Sequence, residues 1–486
     1  MKRLLISCLA IGLFACDDGS TGGPLDIAVI GNTASSSGPF GPQARYLRAA
    51  GAEGLVALDP EGQVIPAIAQ RWIVTDDAMS YIFRMRDSTW PDDEPIGAED
   101  VRDALEARIR ALRGTALGLD LAKITEVRAM TGQIVEIRLS SPMPEFLRLL
   151  AQPELGLMRS GSGAGPMVVS FDEDAPLSRL SVLPPTARGL PEPPEGREPS
   201  TRPLTLTTMS APRAVRAFDE GSVDLVLGGT IANFPLAQPG PLSRGTIQVD
   251  PALGLFGLVF TNDVGLLSDP ARREALSMAI DRAALIEPFG LGGWQPTTWV
   301  VPQSLFSPLQ YPATRWSEFD LEQRRAEAAG RIGAWEEQAG ARAQVSIALP
   351  AGPGGDILFR EIEGAWSRIG VETRRVPFGE QADLFLLDVT ARYSSPRWFL
   401  NRFNCTLDQG LCSPEADALV AESLVQRVAD DKQSLLADAH FELIANEVFI
   451  PLGSPVRWSL VRGAVTGYEP NPWALHPLFP MAGPTI

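Results

Sequence analysis

Residues 53–105, EGLVALDPEGQVIPAIAQRWIVTDDAMSYIFRMRDSTWPDDEPIGAEDVRDAL, carry a fixed succession of structural signals. An apolar segment, which we expect to end a helix at Leu58, is followed by a turn at residues 59–62, because Pro presets φ and Gly accepts a positive φ. Residues 80–86 alternate polar and apolar side chains, which is typical of a half-buried strand. Residues 98–101 open a helix with acids in its first turn, where the helix dipole favours them.

The order of these signals resembles the N-terminal part of the extracytoplasmic solute-binding proteins of family 5, the peptide- and nickel-type receptors of ABC importers. In that family a Gly-x-ile-x-Pro-x-leu-Ala-x-x-Trp segment precedes a strand that ends in Arg, and residues 62–86 are similar to it. Residues 90–101 look like the family's Trp-x-Asp-Gly-x-Pro-x-x-Ala-x-Asp-Val segment. They depart from it at Asp93 and Glu94, where Asp-Gly is usual.

Three later stretches follow in the same order as in the family. Residues 163–166 (GAGP) look like its Gly-Thr-Gly-Pro turn, and residues 258–282 resemble the segment where the chain first crosses between domains. Residues 441–452 (FELIANEVFIPL) look like the return crossing. The resemblance therefore extends over most of the chain.

Length and composition limit the classes of protein to consider. A chain of 486 residues can hold two or three domains, and 45% hydrophobic residues with 20 Phe and 10 Trp indicate a globular protein. The net charge of −17 argues against nucleic-acid binding, which needs clustered Arg and Lys. No run downstream of the first fifteen residues is apolar and long enough to cross a membrane, which takes about 20 residues.

Residues 1–15 are predicted to be a signal peptide. Lys2 and Arg3 give a positive start, and the apolar run at residues 4–14 is too short to span a bilayer.

Residues 13–16 (LFAC) resemble a bacterial lipoprotein signal, which implies a lipid on Cys16; ordinary secretion is the alternative. Asp17 and Asp18 look like the signal that keeps Gram-negative lipoproteins on the inner membrane. The protein is therefore predicted to lie on the periplasmic side of the cell envelope, with the lipid as its only membrane attachment.

Cys405 and Cys412 are the only cysteines downstream of residue 16, and in an oxidising compartment they are predicted to form a disulfide that closes a short loop. The chain has only two histidines, His440 and His476, which cannot build a His-rich zinc site. We expect each to be a surface or capping residue, and we expect neither a metal nor a cofactor.

The downstream sequence alternates strands and helices, which indicates an α/β fold. Residues 204–209, 211–219 and 222–227 read as strand, helix and strand. Helical spacing covers 270–288, 320–339, 356–369 and 414–447, and buried strands are expected at 345–349 and 382–387.

The resemblance implies a two-lobed periplasmic-binding-protein fold with a large, subdivided N-terminal lobe and a hinge of two chain crossings. Lobe I is predicted to comprise residues 16–257 and 456–486, with an exposed Pro-rich loop at 183–203. Lobe II would comprise residues 258–455. In such a fold a solute enters an open cleft and stabilises the closed form.

Two charged residues are candidate ligand contacts. In peptide-binding relatives an Asp ahead of a Pro in the second lobe pairs with the ligand amine. The matching register before Pro396 holds Arg392 and not an acid. Either Asp388 binds the amine from a shifted position, or Arg392 binds a carboxylate or phosphate, for which its planar fork is suited. The alternative for each is a solvated loop or a structural ion pair.

Aromatic and small residues complete the predicted ligand site. Trp294 and Trp299 lie in a stretch that resembles the family's cleft-side loop, and Trp398 follows Pro396. Each could form an aromatic wall, with core packing as the alternative. Ser36 lies in the early loop which approaches the ligand in relatives.

The resemblance implies a receptor and not an enzyme. The run at residues 161–165 lacks the GK[ST] ending of a phosphate loop and the order of a nucleophile elbow. The predicted function is the binding of a small peptide or peptide-like solute by a monomer, which delivers it to ABC permease subunits. The alternatives are a receptor for an opine, oligosaccharide or metal chelate, and a sensor or envelope interaction protein without a transporter.

Overall fold

The computed structural model describes residues 23–31, 43–171, 177–194, 200–237, 246–306 and 315–483. The predictions for Cys16 and Ser36 lie outside the described residues.

The strands within the described residues are numbered in chain order. They are β1 (Leu25–Ile30), β2 (Val56–Leu58), β3 (Val64–Pro66), β4 (Ala69–Val74), β5 (Ser80–Met85), β6 (Ile124–Met130), β7 (Ile134–Leu139), β8 (Met158–Arg159), β9 (Ser162–Gly163), β10 (Met167–Phe171), β11 (Leu177–Val182), β12 (Leu204–Met209), β13 (Leu225–Thr230), β14 (Ile247–Val249), β15 (Gly254–Phe260), β16 (Gln344–Leu349), β17 (Glu372–Pro377), β18 (Leu384–Thr390), β19 (Phe449–Gly453) and β20 (Arg457–Val461).

The α-helices are numbered in the same way. They are α1 (Ala44–Gly51), α2 (Ala98–Ala111), α3 (Ala116–Asp120), α4 (Phe146–Leu150), α5 (Ala211–Asp219), α6 (Pro270–Ala279), α7 (Arg282–Ile286), α8 (Leu321–Ala339), α9 (Pro353–Ser367), α10 (Pro396–Leu400), α11 (Pro414–Ser423) and α12 (Ala429–Ala445).

Three larger sheets organise the chain. A seven-stranded sheet has the order β10-β11-β12-β1-β13-β20-β14, and its central strands β12, β1 and β13 are parallel. A five-stranded sheet has the order β17-β16-β18-β15-β19. The antiparallel sheet β4-β5-β7-β6 belongs to a separate part of the N-terminal half, residues 53–164, which we call the four-stranded unit. Strand β5 has the predicted alternation, because Tyr81, Phe83 and Met85 are buried.

The chain passes between the seven- and five-stranded sheets twice. It leaves the seven-stranded sheet after β14 and enters the five-stranded sheet at β15, and it returns from β19 to β20. The sequence placed the first crossing at residues 258–282, whereas the change of sheet lies between β14 and β15, at residues 250–253. The return follows directly after the predicted segment at 441–452. The predicted lobe boundary after residue 257 falls inside β15, so the change of sheet occurs a few residues earlier.

The hydrophobic cores do not follow the division into sheets. One core fills the four-stranded unit and continues without a break into residues 391–449, which follow β18. A second core joins the five-stranded sheet to one face of the seven-stranded sheet, and a third lies on the opposite face of the latter. The core of the four-stranded unit is therefore shared with parts of the chain that follow β14.

Several predicted elements differ from those in the structure. Residues 56–58 form a strand and not the end of a helix, because they pair with β3 across the turn at residues 59–62. The helical pattern at 270–288 is divided at Asp281, whose carboxylate accepts hydrogen bonds from the N–H groups of Ala283 and Ala284. The pattern at 414–447 is divided between α11 and α12.

The prediction for both histidines is wrong. His440 is 0% exposed and lies parallel to the ring of Phe306, with ring centroids 5.6 Å apart. His476 is also buried, with Nε2 3.3 Å from Oδ2 of Asp250. Neither ring is a surface group.

None of the helices among the described residues combines the length and the apolar character needed to cross a membrane.

Candidate ligand site between the sheets

An ion pair connects the two large sheets directly. Asp388, near the end of β18, accepts a 2.7 Å hydrogen bond from Nη1 of Arg457, at the start of β20. Nη2 of Arg457 donates to the main-chain oxygen of Asp388 at 2.9 Å. Burial raises the pKa of Asp388, and the Arg457 charge opposes that rise. The carboxylate proposed as an amine contact is thus at the junction of the sheets and already bears a cation.

A second ion pair connects the segment after β18 to the four-stranded unit. Arg392 binds both carboxylate oxygens of Glu154, at 2.7 and 2.8 Å. Its Nη1 also donates to Oε1 of Gln152 at 3.1 Å. Burial would raise the pKa of Glu154, but Arg392 and, more weakly, Arg45 hold it at about 2. Glu154 is therefore ionised at neutral pH.

Two further arginines lie around this pair. Arg45 on α1 donates to the same Oε1 of Gln152 at 3.3 Å, and the guanidinium of Arg402 lies 4.7 Å from the ring centre of Trp398. Burial, together with the neighbouring Arg392, lowers the pKa of Arg45 to about 10. Burial likewise lowers the pKa of Arg402 to about 10, with Asp120 opposing and Arg392 adding to the shift. Low pKa values of this kind indicate cations that are poorly compensated.

We call Arg45, Arg392 and Arg402 the arginine cluster. Glu154 pairs with Arg392 and lies close to Arg45, whereas Arg402 is influenced more strongly by Asp120 than by Glu154. The Nε atoms of Arg45 and Arg402 are buried without a hydrogen-bond partner among the described residues. Guanidinium groups with free N–H bonds suit a planar carboxylate or a phosphate. The cluster can therefore accept an anionic group from a solute.

A second set of contacts, which is more deeply buried, also joins the segment after β18 to the four-stranded unit. We call it the Asp120 seam. Oδ1 of Asp120 accepts hydrogen bonds from the Tyr393 hydroxyl at 3.0 Å and from Nδ2 of Asn401 at 2.8 Å. Arg397 donates to the main-chain oxygens of Leu119 and Asp120. Tyr393 is 0% exposed and Asp120 is 1% exposed. These groups hold the four-stranded unit against α10.

The three candidate tryptophans lie in different environments. Trp294 is half-buried at the return crossing, where its Nε1 donates to the main-chain oxygen of Ser454 at 2.8 Å. Trp299 is largely buried and contributes to a cavity of about 420 Å³ beside β15 and β19. Trp398 is fully buried against Phe399 and offers no face to a solute in this conformation. The interpretation of Trp398 as core is therefore the one that fits this structure.

The sulfur atoms of Cys405 and Cys412 are bonded, and their Cα atoms lie 5.2 Å apart. Across the described part of the chain, no group of three or more His, Cys, Asp or Glu residues is arranged to hold a metal ion.

Sequence reasoning singled out Asp388 and Arg392 but missed their partners. Arg457 is 69 residues from Asp388, and Glu154 is 238 residues from Arg392. Only the position of Arg457 in the chain could have indicated its role, because Arg457 begins the strand that follows the predicted return crossing. Nothing local marks Glu154 or Arg45 as residues of this junction.

Comparison with known proteins gives matches along most of the chain. Residues 63–175 and 194–409 match the family model described as bacterial extracellular solute-binding proteins, family 5 middle. A probable di/tripeptide-binding protein of Pseudomonas aeruginosa is 23% identical over 475 residues, which cover 85% of this chain and 86% of that protein.

Solved structures match at low identity and high coverage. The Escherichia coli murein tripeptide binding protein MppA matches with a TM-score of 0.80 and 18% identity over 96% of this chain and 99% of that one. The unliganded open form of MppA matches with a TM-score of 0.62 and 17% identity, over 92% and 95% of the two chains. The match to that open form is thus the weaker of the two.

Proposed function

The chain belongs to family 5 of the bacterial extracellular solute-binding proteins, and we propose that it binds a short peptide or peptide-like solute between its two lobes for delivery to an ABC permease. Proteins of this family are transport receptors and not enzymes. The two-lobed fold follows from the same comparisons. The names of two relatives, a di/tripeptide-binding protein and a murein tripeptide binding protein, support a peptide as the ligand.

One observation carries the proposal for the site: Asp388 and Arg392 lie four residues apart at and just after the end of β18, where one pairs with β20 of the seven-stranded sheet and the other with the four-stranded unit. Asp388 would bind the ligand's ammonium group by exchanging Arg457 for it. The arginine cluster would bind the terminal carboxylate. Both contacts use residues from either side of the junction, so a bound solute would favour the closed arrangement by its differential affinity for it.

The hinge that we propose consists of the two crossings, near residues 250–254 and 453–457. Lobe I would then comprise the seven-stranded sheet and lobe II the five-stranded sheet.

The test is a titration calorimetry series on the chain expressed from Asp17, which retains every described residue. Free di-, tri- and tetrapeptides are compared with the same peptides after N-acetylation or C-amidation. We expect N-acetylation to weaken binding through Asp388 and C-amidation to weaken binding through the arginine cluster. A buried charge-assisted hydrogen bond contributes about 1.5–3 kcal/mol, so each change should weaken binding more than tenfold.

Variants assign each effect to its residue. Asp388→Asn should remove the penalty of N-acetylation, and Arg392→Gln should remove that of C-amidation. Arg360→Gln is the control, because Arg360 is an exposed side chain on α9. Peptides that do not bind at all would contradict the peptide proposal.

A second ligand class is favoured by the surplus of arginines. An opine or another small carboxylate would need the arginine cluster but not an acid at Asp388. Binding of such a solute that is lost in Arg392→Gln and kept in Asp388→Asn would identify this class. A neutral oligosaccharide or a metal chelate has less need of the arginine cluster, so its binding should depend less on Arg392.

We further propose that Cys16 carries a lipid after removal of residues 1–15 and that this lipid anchors a monomer to the periplasmic side of the inner membrane. Metabolic labelling with an alkyne fatty acid should mark the wild-type chain and not Cys16→Ser. Labelling of both forms would exclude Cys16 as the acceptor. Co-purification with permease subunits after crosslinking would test the remaining partner.

A further inference from the structure

A large cavity lies away from the junction of the sheets. It has a volume of about 900 Å³, and its described lining residues all fall between Gln43 and Arg188. One side is formed by α1 with strands β10 and β11, and the other by the loop after β5 and the hairpin β8–β9. No described residue of the five-stranded sheet contributes to it, so the cavity does not depend on the closure of the lobes.

Five polar side-chain atoms around this cavity are buried and have no hydrogen-bond partner among the described residues. They are Nη1 of Arg48, Nε of Arg86, Oγ of Ser88, Nε1 of Trp90 and Nε of Arg188. Ser88 is 5% exposed and Trp90 is 2% exposed. A buried polar atom without a partner costs about 1–3 kcal/mol, so such atoms are rare in native proteins and call for an explanation.

All five atoms can donate a hydrogen bond, and four of them can only donate. A ligand that satisfies them must therefore supply acceptor oxygens. The formal charges agree: Arg48, Arg86 and Arg188 carry three positive charges, whereas Glu53, paired with Arg86, and Asp93, at the cavity edge, carry two negative ones. The excess of one positive charge matches a monoanion.

The rest of the lining is apolar. Leu47, Ile68, Met158, Met167 and Leu183 contribute to the walls. Cavities of about 300–1,000 Å³ that combine apolar walls with a few convergent polar groups are typical of sites for small molecules. The walls thus require an apolar ligand body in addition to the anionic group.

The backbone at Gly189 lies close to the backbone at Asp87, and this contact places Arg188 near Ser88 and Trp90. Gly189 has φ +69°, and a Cβ atom there would lie 2.3 Å from the main-chain oxygen of Asp87. Only glycine allows the turn at residues 186–188 to lie against the loop that carries Ser88. The turn also places Ala187 at the half-buried edge of the cavity.

We propose that this cavity is a second ligand site, which binds an amphipathic monocarboxylate: a molecule with an apolar body and a single carboxylate. The carboxylate accepts hydrogen bonds from Ser88, Trp90 and the arginines, and the apolar body lies along α1 and β10. The site is separate from the proposed peptide site, and either can fail without the other.

The experiment uses titration calorimetry with decanoate, its neutral analogue decanol and the cation decyltrimethylammonium on the wild-type chain from Asp17. We expect decanoate to bind at least tenfold more tightly than both analogues. Equal binding of the three would overturn the assignment of an anion site, and no binding of decanoate would overturn the proposal as a whole.

Variants locate the binding. Arg188→Gln should weaken decanoate at least tenfold by removing a charge, and Ala187→Trp should abolish binding by filling the cavity from its edge. Arg392→Gln should leave decanoate binding unaffected, and a loss there would move the site to the arginine cluster. Should a cavity variant not fold, photo-crosslinking of a diazirine analogue of decanoate to the wild type, mapped by mass spectrometry, decides: adducts within residues 43–188 support the proposal and adducts elsewhere contradict it.

Discussion

Arg392 and Tyr393 are neighbours in the chain, contact the same four-stranded unit, and lie in opposite environments. The Arg392–Glu154 pair keeps 19% of each side chain exposed. The Tyr393–Asp120 contact one residue further is closed to water, with exposures of 0% and 1%. Two adjacent residues thus make one contact that water can reach and one that water cannot reach, both with the four-stranded unit.

The difference indicates where a solute can compete. A partly exposed ion pair contributes less net stability than a buried one, because water can replace each partner. A buried hydrogen-bonded acid cannot be exposed without losing several interactions together. A ligand carboxylate can therefore exchange into the arginine cluster, while the Asp120 seam keeps the four-stranded unit attached to α10.

The largest effect on stability is expected for Asp120→Ala. The change leaves the Tyr393 hydroxyl and Asn401 buried without their acceptor, and it removes a carboxylate that lies close to Arg397. We expect the free energy of unfolding to fall by about 3–5 kcal/mol, the cost of removing one partner from a buried charged network. Urea denaturation followed by circular dichroism measures it. Asp103→Ala, at an exposed acid, is the control and should change stability by less than about 0.5 kcal/mol.

Acid should next distinguish the fully buried His440 from the partly exposed Arg392–Glu154 pair. Burial, with a smaller contribution from Arg315, lowers the pKa of His440 to about 3. The unfolded chain takes up this proton below about pH 6.5, so the stability contributed by His440 is present above pH 6.5 and is lost as the pH falls toward 3. The slope is about 1.4 kcal/mol per pH unit, or about 2–3 kcal/mol between pH 6.5 and 4.5.

His440→Leu should lose less stability than the wild type over that range. The Arg392–Glu154 pair should persist throughout, because the pKa of Glu154 is about 2. Parallel stability curves for the two proteins would show that His440 does not remain neutral in the folded state.

A smaller effect is expected for Tyr393→Phe. The ring remains in the core, and only the hydroxyl donor to Asp120 is lost, while Asn401 still donates to the same oxygen. We expect a loss of about 1–2 kcal/mol in urea denaturation. A loss as large as that of Asp120→Ala would mean that the hydroxyl, and not the carboxylate, holds the seam together.

The smallest effect on stability is expected for Arg392→Gln. The pair that it breaks is partly exposed, and the uncompensated Glu154 stays close to Arg45. Unfolding should change by at most about 1 kcal/mol, while binding of carboxylate ligands falls more than tenfold. A stability loss above 3 kcal/mol would place this pair in the same class as the seam and end the contrast.

The sequence was sufficient for elements with strong local signals. Residues 204–209 and 211–219 form the predicted strand and helix because alternation and a proline at the second helical position mark them. The strand predicted at 345–349 begins one residue earlier. The resemblance gave the order of the two crossings, but it placed the first of them a few residues later than the change of sheet.

Contacts between distant residues could not be predicted. The pattern at 414–447 is continuous, yet the helix ends at Ser423 and leaves the main-chain oxygen of Leu424 free to accept hydrogen bonds from Ser140 and Ser141 of the four-stranded unit. Asp120 looks like an ordinary acid at the end of a short helix. Its burial depends on Tyr393, which is 273 residues away.

The two crossings run side by side, and this arrangement determines the mechanics of the proposed hinge. β14 pairs with β20 on one side, β15 pairs with β19 on the other, and the N–H of Asp250 donates to the main-chain oxygen of Arg457 at 3.0 Å between them. A two-stranded ribbon bends readily about one axis but resists shear, because shear would break its ladder of hydrogen bonds. A rotation of a few degrees at the ribbon would therefore act through a lever arm, giving the largest displacements at the parts of the lobes farthest from residues 250 and 457.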